Sequence, residues 1–162
     1  MVARFHRFTS VVVKLAEWLT ALLFATLIAV TGTQVFNRLV FNDSIVWAEE
    51  VAKILLFYIV FTAGSIAVHR KAFSAIDFWG WFGGWGRRAL DLLIVGLVAG
   101  FQIVAIWYGL EMVRLTTTQI TPALEIPQAT IYAAVPFGMS LMLIVTINQL
   151  LTTLSGGKVH TK

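Results

Sequence analysis

LLIVGLVAGFQIVAIW, residues 92–107, carries no charged side chain and does not alternate apolar with polar positions. A helix needs about 20 mostly apolar residues to cross roughly 30 Å of hydrocarbon, and it satisfies its own backbone hydrogen bonds. A closed β-barrel is the other spanning solution, but its strands alternate with period two. The run therefore reads as a membrane-spanning helix over about 92–113. Three more stretches have the same character, at about 18–36, 51–68 and 131–151. The expected architecture is an all-α membrane protein, a single domain over 1–162 with four transmembrane helices.

Composition agrees. The chain is 59% hydrophobic and 12% charged, with a mean hydropathy of +0.85. A soluble domain of this size carries roughly twice that charge density, so there is too little polar surface to wrap a water-soluble globule. Cysteine is absent, which removes disulfides, thiolate metal sites and thiol catalysis. The pI of about 9.8 does not point to nucleic acid, because the basic residues cluster at the ends of apolar runs. That is the pattern of topology signals and lipid-headgroup contacts. The start, MVARFHRFTSVVVK, resembles the charged region of a signal peptide. The apolar run that follows is too long for one and no A-x-A site follows it, so a retained first helix is expected.

Orientation follows from lysine and arginine near the span ends. Arg4, Arg7 and Lys14 precede the first span; Arg70, Lys71, Arg87 and Arg88 lie between the second and third; Lys158 and Lys162 lie in the tail. The two other loops hold only Arg38 and Arg114. Nine against two places the N-terminus, the middle loop and the C-terminus on the cytoplasmic side. The polar tail SGGKVHTK (155–162) reads as a chain end.

The middle segment, about 72–88, is rich in aromatics and glycine and too short and polar to cross. It is expected to lie along the cytoplasmic surface as an amphipathic, partly helical piece. Trp79, Trp81 and Trp85 would be its interface anchors, their rings half buried at headgroup depth. The same surface could also dock another subunit.

FNDSIVWAEEVAK (41–53) precedes and opens the second span. Asp43 or Ser44 can cap the helix start, and Glu49 and Glu50 fall in its first turns, where the helix dipole favours anions. Lys53 is within side-chain pairing distance of both. A helix from Ser44 to Val68 would be about 37 Å long, so its start must tilt or protrude. The charges either sit in the outer headgroup zone with Lys53 snorkelling to them, or lie against another protein. Milder polar features elsewhere suit packing: Thr31, Gln34 and Arg38 on one face of the first span, a Gly96/Gly100 pair, and Asn148 with Gln149. Pro136 is expected to bend the fourth span about a turn after its start.

Chemistry is otherwise sparse. His6, His69 and His160 lie in flanks or at a span end, and no GxxxxGK[ST], GxSxG or HExxH motif occurs. No catalytic, cofactor-binding or metal-ligating residue is assigned. A small proton-coupled exporter would want an acid deep in a span, whereas Glu17, Asp91 and Glu111 lie near span ends.

Taken in order, several stretches resemble a known family. Arg38, Ser44, Trp47, Glu49, Glu50 and Lys53 follow one of its patterns. FTAGSIAVHRK (61–71) is similar to its glycine-containing span end, Asp77 falls where it tends to have an acid, and IPQATIYAAVPFG (126–138) fits a signature through Ile126, Pro127, Tyr132, Pro136 and Gly138. The chain looks like the small, DctQ-type membrane subunit of a tripartite ATP-independent periplasmic (TRAP) transporter, over about residues 15–152. One departure is that Ala72 to Ile76 lacks a histidine the family often places before the loop acid.

The resemblance implies a non-catalytic subunit that scaffolds a large TRAP membrane subunit. That partner would hold the Na⁺ and substrate sites, so no cofactor is expected here. The importer would take up an organic acid, such as sialic acid or a C4-dicarboxylate, from a periplasmic binding protein. Arg38, Trp47, Glu49, Glu50 and Lys53 would then form a charge network at or beside the subunit interface. The alternatives are a homo-oligomeric small channel or exporter, which needs a polar stripe along a whole helix, and a membrane enzyme, which needs polar groups converging at one depth. The lipid bilayer is a partner in every case, and nucleic acid in none.

Overall fold

The computed structural model describes residues 2–42, 45–70 and 84–154. They form helices α1 (Val2–Val40), α2 (Val46–His69), α3 (Gly84–Leu115), the short α4 (Ala129–Tyr132) and α5 (Ala134–Leu154). Four stretches are long and apolar enough to cross a membrane: Arg7–Val40, Val46–His69, Leu92–Leu115 and Ala129–Leu151. The four-span all-α fold is thus present, with longer helices than the apolar runs alone suggested. Residues 84–88, expected in the interfacial segment, instead open α3. Arg87, Arg88, Ala89 and Leu90 are good helix formers, so the helix continues past the apolar core of the span. The remainder of that segment, with Trp79 and Trp81, lies outside the described residues; Trp85 falls in the first turn of α3.

α1 packs on α2, α2 on α5 and α5 on α3, with a smaller contact between α1 and α5. The helices therefore stand in an open row with α1 and α3 at its ends. Alternation of direction puts the α1–α2 and α3–α4 connections at one end, called distal below, and the chain ends with the α2–α3 connection at the other. Within the four described spans only 11–22% of the residues in the most apolar stretch are buried by the rest of the chain.

The row is inverted relative to a soluble domain. Trp18 is 78% and Trp107 73% exposed, while Thr62 is fully buried along with Ser65, Ala134, Val145 and Thr146. Lipid tails are as apolar as leucine, so nothing drives large apolar side chains between helices; close packing and interhelical hydrogen bonds hold them instead. The Thr20 hydroxyl donates to Thr62 (3.0 Å), whose own hydroxyl donates to the Tyr58 carbonyl (2.6 Å). Gln149 Nε2 donates to the Val68 carbonyl (2.6 Å), joining α5 to α2. At the proximal end Arg70 pairs with Glu17 at 2.7 Å.

Glycine enables the closest approach. At Gly138 on α5 the Phe61 carbonyl carbon and oxygen on α2 lie 2.8 Å from where a Cβ would stand. Gly109 on α3 meets Pro136, whose Cδ lies 3.0 Å from the corresponding point. Gly96 and Gly100, the pair with the spacing of a helix-packing motif, have nothing within 4 Å of that position and point outward. Spacing alone does not say which face of a helix is turned inward.

The fourth span is interrupted at Ala133, between α4 and α5. Pro136 lacks the N–H that would bond back to the Tyr132 carbonyl, and the break falls at that turn. Ala133, between the two helices, keeps right-handed helical angles (φ −61°, ψ −22°).

Candidate functional site: the distal clamp

The charged residues of 38–53 gather at the distal end, but not as a network of ion pairs. The chain turns through Asn42 (φ 53°). The N-cap of α2 is Ile45, with no side-chain cap bond; a cap by Asp43 or Ser44 was expected, and both lie outside the described residues. Among the described residues no ion pair joins Arg38, Glu49, Glu50 and Lys53 to one another. Arg38, Glu49 and Lys53 are exposed, although Lys53 does act on Glu50 through a Coulomb attraction. Long side chains at a wet surface lose more entropy by pairing than the pairing returns.

Glu50 does something else. Its Oε1 accepts the Ala123 N–H (2.9 Å) and its Oε2 accepts the Leu124 N–H (2.8 Å). The loop that supplies them is folded before it meets the carboxylate. Thr121 N–H donates to the Ile126 carbonyl (2.9 Å), Gln128 N–H to the Gln119 carbonyl (2.8 Å) and Glu125 N–H to the Thr121 carbonyl (3.1 Å). Ile120 and Pro127 form an isolated antiparallel bridge. Glu125 adopts φ 54°, which closes the turn. The apex is left with two successive N–H groups and no backbone partner for them. Such a pair makes a small anion-binding concavity, and the Glu50 carboxylate, an acceptor-only group, fills it bidentately. The α3–α4 loop is thereby fastened to the start of α2.

Beside the clamp, Ala29, Val30 and Thr33 of α1 with Ile45, Trp47 and Ala48 line a shallow apolar groove. Ala48 is buried and Trp47 about half exposed. The described residues contain no group of three or more metal-ligating side chains. The sequence had marked Glu50 as part of the charged cluster but not its partners, which are 73 and 74 positions away. The available cue was the pair of prolines in TPALEIP (121–127), which mark a turn but not what it binds.

Four apolar spans, seams closed by hydroxyls and amides, and an ordered distal loop define a polytopic helical membrane protein. Its sequence matches the family described as "Tripartite ATP-independent periplasmic transporters, DctQ component" over residues 27–156. The chain belongs to that family, a component of transporters and not an enzyme, and it is a multi-pass protein of the inner membrane.

Two relatives each match 65 residues, 40% of this chain. The sialic acid TRAP transporter permease protein SiaT of Haemophilus influenzae (strain 86-028NP) is 37% identical there, over 11% of its own length. The sialic acid TRAP transporter small permease protein SiaQ of Vibrio cholerae serotype O1 (strain ATCC 39315 / El Tor Inaba N16961) is 34% identical, over 38% of its length. The chain thus matches well under half of either relative.

Proposed function

We propose that this chain is a non-catalytic scaffold for the large transport subunit of a TRAP transporter. The complex drives uptake of an organic acid with Na⁺, and the acid, such as sialic acid or a C4-dicarboxylate, arrives on a periplasmic binding protein. The observation that carries this reading is the open row. A row whose spans leave most of their residues uncovered has broad faces for lipid and for another membrane protein. The described helices, packed side by side, enclose no path of their own. A moving transport domain needs a part held fixed in the bilayer, and a row of four apolar helices broadens that hold. The relatives named for sialic acid transport support the substrate class.

In this reading the termini are cytoplasmic and the distal clamp is periplasmic. Trp47 marks depth on the outer side and Trp79, Trp81 and Trp85 on the inner. Arg38, Glu49 and Lys53, exposed and unpaired with one another, lie at or beside the subunit interface. The test is affinity purification of the tagged chain from native membranes in mild detergent. A large permease subunit should co-purify in near-equal amount. Recovery of this chain alone, or only as a homo-oligomer, would overturn the scaffold reading.

A further inference from the structure

Gln102 lies in the middle of α3 and faces α5. It is 2% exposed. In the span Leu92–Leu115 it stands about 15 Å along the helix axis from Leu92 and about 20 Å from Leu115, far from bulk water. Its Nε2 donates to Thr146 Oγ1 (3.1 Å), and the Thr146 hydroxyl donates onward to the Met142 carbonyl (3.0 Å). Its Oε1 is buried with no hydrogen-bond partner.

Turning the amide over does not remove the problem. Thr146 has a single proton to give. If the flipped oxygen faced Thr146, the –NH₂ group would take the empty side with two donors to satisfy. Either assignment leaves one buried polar end of Gln102 without a partner from this chain. In hydrocarbon such a group is more costly than in a soluble core, since no solvent reaches it.

We infer that the α3–α5 seam holds one structural water at Gln102, which donates to Oε1. The residues that border the amide along α3 are small. Ala99 and Ala105 flank Gln102 at three-residue spacing on the helix face, and buried Gly109 follows. A water there needs two to four polar partners. Gln102 supplies one, and the second lone pair of a helix carbonyl bordering the seam supplies another. The Gln102–Thr146 contact is then a water-completed link between the outer helix of the row and its neighbour.

Two measurements on the full chain test this. In lipid nanodiscs, hydroxyl-radical footprinting should oxidise the seam at Thr146, which is 1% exposed and bonded to Gln102, through radicals formed from the local water. Gln102→Met should abolish that labelling. It should also lower the thermal midpoint by roughly 2–4 °C, because it removes a satisfied group. An orphaned amide behaves oppositely: its apolar replacement is neutral or stabilising. An unchanged or raised midpoint in Gln102→Met, or no oxidation of the seam in the unaltered chain, overturns the inference. If the variant does not fold, the footprint of the unaltered chain decides alone.

Discussion

Replacing Gly138 with leucine is expected to lower the thermal midpoint of the purified chain by roughly 6–12 °C. Its α-carbon faces the α2 backbone, and the Phe61 carbonyl carbon and oxygen would lie 2.8 Å from an added Cβ. Overpacking a close contact costs about 1–3 kcal/mol when side chains can give way. Here the obstacle is main chain, which moves only with a whole helix, so the upper end of that range is expected. Alanine at the same position already brings a Cβ into the clash and should show a smaller loss. Gly96→Leu is the matched control: nothing stands within 4 Å, and its midpoint should not move. The readout is thermal unfolding in detergent followed by tryptophan fluorescence. Equal midpoints for the two leucine variants would mean that α2 and α5 do not meet at Gly138.

The second large effect concerns Glu50. Alanine there removes the acceptor that the structure gives the N–H groups of Ala123 and Leu124. The two bonds are partly exposed, so water takes the place of the carboxylate and the loss stays local to the loop. Hydrogen exchange at residues 123 and 124 should accelerate several-fold, with little change in the helices. Glu50→Gln retains one acceptor oxygen and should fall between. Glu50→Lys places a cation against two donors; it should open the loop fully and weaken co-purification of the large subunit. Unchanged exchange in Glu50→Ala would refute the clamp. Fast exchange with unaltered co-purification would assign the clamp to folding alone.

How far the sequence could be read depends on the range of the interactions concerned. The spans were legible because crossing hydrocarbon is a local demand: residues 92–107 meet it without reference to any other part of the chain. Pro136 carries a demand of the same local kind, since its missing N–H leaves its own turn one bond short. Contacts between distant segments were not. Gly96 and Gly100 have the spacing of a packing motif yet face outward, while Gly138 and Gly109, which carry no such spacing, make the close approaches.

The distal site shows both sides of this. The carboxylate at Glu50 could be marked as consequential because an acid at a span end needs a partner. Its partners proved to be two backbone N–H groups more than seventy residues away, a type of partner that no side-chain pattern reveals. Gln102 drew no notice at all, because one amide in an apolar run is compatible with any face of a helix. Only the packing of α3 on α5 buries it.

The most direct test of the central claim is uptake of labelled organic acid into proteoliposomes under an inward Na⁺ gradient. Vesicles holding this chain alone should accumulate nothing above protein-free vesicles. Vesicles that also hold the large subunit, supplied with ligand-loaded binding protein, should accumulate the acid in proportion to the gradient. Uptake or solute leak through the chain by itself would contradict a scaffold without a transport path.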